Sequence, residues 1–118
     1  MKYIKTIKDL FEKAIEREDG TANINGRMNY YGGGQGELQS KYRIAFTKNH
    51  VALSHWGTEI IAINTATEKV DNWYGESNSD RDAVNMLLYL LGMDNRYHAI
   101  YRPSSVGYKV VKVAPVNV

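Results

Sequence analysis

Hydrophobic and polar residues alternate through the middle of the chain, which is the pattern of half-buried β-strands. Residues 42–46 and 50–56 show this period of two, and Lys48-Asn49 between them is suited to a tight turn. Residues 58–64 are the most apolar and are predicted to be a central strand, whereas the more polar residues 69–74 fit an outer strand. Together these segments predict an antiparallel meander.

Apolar residues fall at helical spacing on both sides of this meander. Residues 7–18 form one amphipathic segment, with Thr6 as a candidate N-cap and Gly20 as a candidate C-cap. Residues 80–91 form a second, leucine-rich segment, with Asn78 or Ser79 as its candidate cap. We expect these two helices to cover the sheet.

The remaining segments extend the predicted sheet. Residues 21–31 alternate weakly and suggest a strand with a bulge or a short hairpin, and residues 97–102 and 107–113 suggest two more strands. The glycine-rich segment 32–36 is predicted to be a flexible loop, because each glycine loses much backbone entropy on ordering. The alternative to a flexible linker or mobile flap is a cradle whose backbone N–H groups approach an anion or a planar ligand, although the spacing of a phosphate-binding loop is absent. The sequence thus predicts one α+β domain over residues 1–118, with a single antiparallel sheet of about five to seven strands around the meander.

Composition narrows the functional classes. The net charge is +2, from 15 basic and 13 acidic residues, and this near balance does not predict a dedicated nucleic-acid surface. The absence of cysteine excludes disulfides and thiolate metal sites. No apolar run approaches the roughly 18 residues of a membrane span, so we expect a cytoplasmic protein without a membrane partner.

Motifs for catalysis and metal binding are lacking. His50 and His55 should lie on opposite faces of one strand, and neither an HExxH nor a G-x-S-x-G motif occurs. Asp80-x-Asp82 fits the first turn of a helix better than a calcium loop, because the rest of the EF-hand pattern is missing. The sequence therefore predicts no catalytic residue, no metal and no cofactor.

Aromatic and arginine residues provide the candidate binding surface. Rings beside basic groups hold nucleotides or single strands by stacking and phosphate contacts, and tyrosine, of which there are nine, is favoured at protein interfaces. The alternative is that the rings fill the core while the arginines extend over it. The candidate binding residues are Tyr30, Tyr31, Gly33, Gly34, Arg43, Trp56, Trp73, Tyr97, Tyr101 and Arg102.

Residues 55–93 resemble small phage and prophage accessory proteins. The likeness is carried by Trp56-Gly57-Thr58, the apolar strand 60–63, Trp73-Tyr74 and the serine-rich turn 77–79. It implies a non-enzymatic protein of the host cytoplasm that binds and inhibits a bacterial defence component, as an anti-CRISPR protein does. The implied partner is a host protein or ribonucleoprotein complex. A nucleotide or single-strand binder and a small enzyme are the alternatives, and self-association into a homo-oligomer stays open.

Overall fold

The computed structural model describes residues 2–29, 34–103 and 109–115. The elements are α1 (Lys5–Glu16), β1 (Thr21–Asn29), β2 (Gln35–Phe46), β3 (His50–His55), β4 (Thr58–Asn64), β5 (Lys69–Trp73), α2 (Asn78–Leu90), β6 (Tyr97–Pro103) and β7 (Lys109–Pro115). The predicted α+β class with an antiparallel sheet is confirmed.

The strands form two sheets. Strands β1 to β5 make a five-stranded antiparallel meander in chain order, so β1 and β5 are its edges, and β6 and β7 pair with each other alone. The single sheet of the sequence prediction is therefore divided. The reason lies in α2, where the Asn85 side chain accepts a hydrogen bond from Ala99 N at 2.7 Å and donates one to Ala99 O at 3.0 Å. Because this amide pairs with β6 as a neighbouring strand would, the hairpin docks on the helix.

The register of the meander decides which side chains face the helices. Val51, Leu53 and His55 are buried on one face of β3, whereas His50 is exposed, as the period of two predicts. In β4, Leu53 pairs with Ile61 and Ser54 pairs with Glu59, which leaves Ile60 as an extra residue in a bulge. The consecutive isoleucines of β4 are thus both buried through an irregular register rather than by two covered faces.

Both helices pack on the buried face and join one hydrophobic core. Helix α1 begins two residues before the predicted start, at Lys5, and its N-cap is Ile4 rather than Thr6. Ile4 packs against the core, and its carbonyl accepts the amide hydrogens of Ile7 and Lys8, so packing outweighs the capping preference of a threonine. In the described part of the chain, neither helix is long and apolar enough to cross a bilayer.

Two glycine predictions are corrected. Gly20 is not the C-cap of α1, which is Arg17; instead it turns the chain into β1 with a φ of +69°. A Cβ at Gly20 would lie 2.7 Å from the Phe46 carbonyl oxygen, so only glycine fits this close approach. In the predicted loop 32–36, Gly36 belongs to β2 and its carbonyl accepts a hydrogen bond from Arg27 Nη1 at 3.3 Å. Residues 32 and 33 lie outside the described residues.

Candidate functional site

A groove of about 460 Å³ opens at one end of the main sheet. It lies between the β3–β4 turn, the end of β5 and the N-terminus of α2, and we call it the His55 groove. Its described lining comprises three rings, two carboxylates and smaller side chains: His55, Trp56, Tyr74, Glu76, Asp80, Thr58, Ile60, Ser77 and Ser79. Neither lysine nor arginine occurs among these lining residues.

His55 and Asp80 form a partly buried pair beneath the groove. His55 Nδ1 lies 2.6 Å from Asp80 Oδ1, and only 9% and 14% of the two side chains are exposed. An ionised carboxylate can only accept, so Nδ1 carries the hydrogen and donates it. Burial on its own would raise the pKa of Asp80, but hydrogen bonds from His55 and from the Glu76 amide together lower it below 3.8. Asp80 is therefore a carboxylate at neutral pH.

The same carboxylate closes the start of α2. Asp80 Oδ2 accepts the Glu76 amide hydrogen at 3.1 Å, and the Asp80 amide donates to Ser77 Oγ, also at 3.1 Å. Ser77 is thus the N-cap, one residue before the predicted Asn78 and two before Ser79. A serine followed three residues later by an acidic side chain is close to a capping box. The negative charge in the first turn also complements the helix dipole.

The second ring nitrogen of His55, Nε2, does not take part in the pair with Asp80. Among the described residues, Nε2 has no hydrogen-bond partner, while every fully buried side-chain nitrogen or oxygen has one. Nε2 is therefore reached by solvent, although the rest of the His55 ring is nine-tenths buried. In the neutral imidazole with hydrogen on Nδ1, Nε2 carries a lone pair and is a hydrogen-bond acceptor.

The His55 ring is stacked on Tyr42 and has the tilted ring of Trp56 next to it. Tyr42 and His55 are nearly parallel, with centroids 4.4 Å apart, and the Trp56 ring follows at 5.8 Å from His55. Burial, and then the charges of Asp80 and Asp82, raise the pKa of the Tyr42 hydroxyl. The imidazole is consequently fixed from two directions, by the stack on its face and by the carboxylate at its edge.

The indole of Trp56 is held in an unusual backbone conformation. Trp56 and Gly57 are the central residues of the β3–β4 turn, with φ of +52° and +81°, as a type I′ hairpin requires. Such a φ is rare for a bulky residue and costs roughly 1–2 kcal/mol. The ring reaches across the sheet to β1, where a Cβ on Gly26 would stand 3.4 Å from Trp56 Cη2. The fold thus retains a tryptophan where asparagine would be less strained.

Two exposed aromatic side chains follow one another at the end of β5, and the second of them, Tyr74, lines the groove. Trp73 is 41% exposed and Tyr74 is 49% exposed at the end of β5. The Tyr74 hydroxyl donates to Glu76 Oε1 at 2.9 Å, which orients an exposed carboxylate at the groove. Tyr74 and this oriented carboxylate therefore line the same groove as His55.

The predicted binding residues do not form one surface among the described side chains. Trp56 lines the groove and Trp73 adjoins it, but Arg43 pairs with Ser54 on the opposite face of the sheet from His55. Tyr97 is half-buried against the core, and Gly34 is exposed ahead of β2. Tyr30, Tyr31 and Gly33 lie outside the described residues, as do the side chains of Tyr101 and Arg102.

Sequence reasoning missed His55, Tyr74, Glu76 and Asp80 as members of one site. The spacing of Ser77 and Asp80 was a readable signal for the helix start, but the partner of Asp80 lies 25 residues away in the chain. Among the described residues, no three histidine or acidic side chains come together as a metal site. No protein-family model matches this chain, and no curated protein or solved structure is detectably similar to it.

Proposed function

We propose that this protein is a non-enzymatic accessory protein of phage type that binds and inhibits a component of bacterial defence, and that the His55 groove with its aromatic lining is the binding site. The observation that carries the proposal is that Trp56 and the exposed Tyr74 line one groove, with the exposed Trp73 next to Tyr74 in the chain, because aromatic anchors beside a pocket are characteristic of protein interfaces. The resemblance of residues 55–93 to phage accessory proteins supports the class of partner.

The chemistry of the groove supports binding more than catalysis. Nε2 of His55 has no hydroxyl within hydrogen-bond distance among the described residues, so the nucleophile–base contact of covalent catalysis is missing. Ser77 is engaged as the cap of α2. The acidic lining also favours a protein partner over a nucleotide or single strand at this groove, because phosphate groups would meet Glu76 and Asp80.

Two tyrosines allow a matched test. Tyr74 is 49% exposed at the groove, and Tyr89 is 46% exposed farther along α2. Immobilised wild-type protein should retain a specific protein from a bacterial lysate, and its expression should restore plasmid uptake in cells whose CRISPR system targets that plasmid. Tyr74→Ala should lose both effects and Tyr89→Ala should keep them, with circular dichroism confirming that both variants fold. Absence of a retained protein at micromolar bait, together with unchanged defence, would count against the proposal.

General-base catalysis is the second candidate function, because a histidine oriented by a carboxylate with a solvent-reached Nε2 is the arrangement of a catalytic base. Hydrolysis of activated esters offers a test, with His55→Gln compared with His50→Gln. His50 is the matched control because it pairs with Asp71 at 2.8 Å on the exposed face. Turnover that depends on His55 alone supports catalysis, and equal rates for both variants exclude it for this substrate class.

A further inference from the structure

We infer that the His55 groove takes up the guanidinium group of an arginine side chain on a protein partner. This inference rests on the proposed function and specifies the chemistry of the same site. The chain as a whole has a net charge of +2, whereas the charged side chains described in the groove are carboxylates.

The charge of the groove selects a cation. Glu76 is an exposed carboxylate, and Asp80 keeps its negative charge beneath the floor. The N-terminus of α2 would by itself favour an anion. That end is already occupied, however, because Ser77 accepts one of its amide hydrogens and Asp80 accepts the Glu76 amide hydrogen just before it. An incoming anion would therefore find two carboxylates and few donors.

The geometry selects arginine among cations. A guanidinium is planar, stacks on aromatic faces and carries five N–H donors, whereas an ammonium is a compact, strongly hydrated charge. The groove is lined by the rings of Trp56 and Tyr74, and it offers the Glu76 carboxylate for one set of donors and the lone pair of His55 Nε2 for another. His55 Nε2 is the decisive atom. It is a hydrogen-bond acceptor that has no hydrogen-bond partner among the described residues, and it belongs to a side chain that is nine-tenths buried.

Small amides test the inference without the unidentified partner. N-acetyl-arginine amide is titrated into the full chain at pH 8 and low salt, and binding is followed by ¹⁵N NMR shifts. N-acetyl-lysine amide and the neutral isostere N-acetyl-citrulline amide are the comparison ligands. We expect shifts centred on His55, Trp56 and Glu76, with lysine binding at least about threefold more weakly and citrulline about tenfold more weakly than arginine.

Matched variants connect this affinity to the groove. Glu76→Gln removes one exposed charge and should weaken arginine binding roughly fivefold, the upper range for an exposed ion pair. Glu12→Gln removes an exposed charge on α1, where Glu12 pairs with Lys8 at 3.0 Å, and should leave the affinity unchanged. Equal affinity for arginine and citrulline, or equal losses in the two variants, would overturn the inference.

The two proposals fail separately. If the protein retains a host partner in a Tyr74-dependent manner but does not bind the arginine amide, the arginine inference is wrong and the proposed function stands. If the arginine amide binds in the groove but no partner is retained and defence is unaffected, the proposed function is wrong.

Discussion

Two histidine–aspartate pairs of similar length but different burial provide an internal test of what holds the groove together. His55 and Asp80 are 2.6 Å apart with 9% and 14% of their side chains exposed, whereas His50 and Asp71 are 2.8 Å apart with 46% and 47% exposed. Solvent screens the second pair but hardly reaches the first. Replacing each aspartate by asparagine should therefore have very different effects on the free energy of unfolding.

The expected loss for Asp80→Asn follows from its contacts. The carboxylate accepts from His55 Nδ1 and from the Glu76 amide, whereas asparagine offers one acceptor and one donor, so both bonds become neutral and the one to His55 survives only if the imidazole moves its hydrogen to Nε2. A hydrogen bond to a charged group contributes about 1.5–3 kcal/mol and a first-turn carboxylate about 0.3–1 kcal/mol. We expect a loss of about 2–3 kcal/mol and a fall in Tm of about 10 °C.

The control variant Asp71→Asn should lose less than about 0.5 kcal/mol, since exposed pairs contribute little. Thermal and urea unfolding at pH 7.5, followed by circular dichroism, measures the stability of both variants.

The free energy of unfolding at acid pH gives a second readout. Because the pKa of Asp80 is lowered in the folded chain, its contribution is complete above the unfolded value and is lost as pH falls through the folded value. The difference between the wild type and Asp80→Asn should thus begin to shrink below about pH 4, near the unfolded pKa, and should disappear only below the folded pKa of Asp80. If Asp80→Asn is no less stable than Asp71→Asn at neutral pH, the buried pair does not stabilise the site.

Three further substitutions separate backbone geometry, hairpin docking and binding. Gly20→Ala should lower the free energy of unfolding in urea clearly more than Gly92→Ala. Both glycines have positive φ, but only at Gly20 would a Cβ lie against a backbone atom. Asn85→Ala should lose about 2 kcal/mol and speed amide hydrogen exchange at Ala99, because two hydrogen bonds disappear. Trp56→Asn should change Tm by only a few degrees, since relief of the strained φ offsets lost ring contacts, yet should abolish partner retention in the lysate assay.

Local patterns predicted most of the fold. Period-two alternation placed β3 and residues 42–46 of β2, an apolar run placed β4, and helical spacing placed both helices to within two residues. These predictions succeed because burial of one face is dictated by neighbours a few positions away. The exceptions are non-local. The early start of α1 depends on packing of Ile4 against the core, and the separate hairpin depends on one amide, that of Asn85.

The site was less accessible from sequence for the same reason. Aromatic residues near strand ends, such as Trp56 and Trp73, were identifiable as candidates, but their grouping depends on how β4, β5 and α2 meet. His50 and His55 were predicted to lie on opposite faces of one strand, and this is confirmed, with His55 on the buried face of β3. The pairing of His55 with Asp80 depends on both the register of the sheet and the position of α2. No short spacing in the sequence encodes these two features together.

The β3–β4 turn also bears on the evolutionary history of the chain. Selection for thermal robustness alone would not be expected to retain Trp56, because asparagine and glycine adopt its backbone angles readily and the lost ring contacts are offset. In laboratory evolution toward heat tolerance without any demand on ligand recognition, position 56 should drift early, whereas Gly57 should persist. A population that keeps the indole under those conditions would indicate that it is retained for folding rather than for an encounter with another molecule.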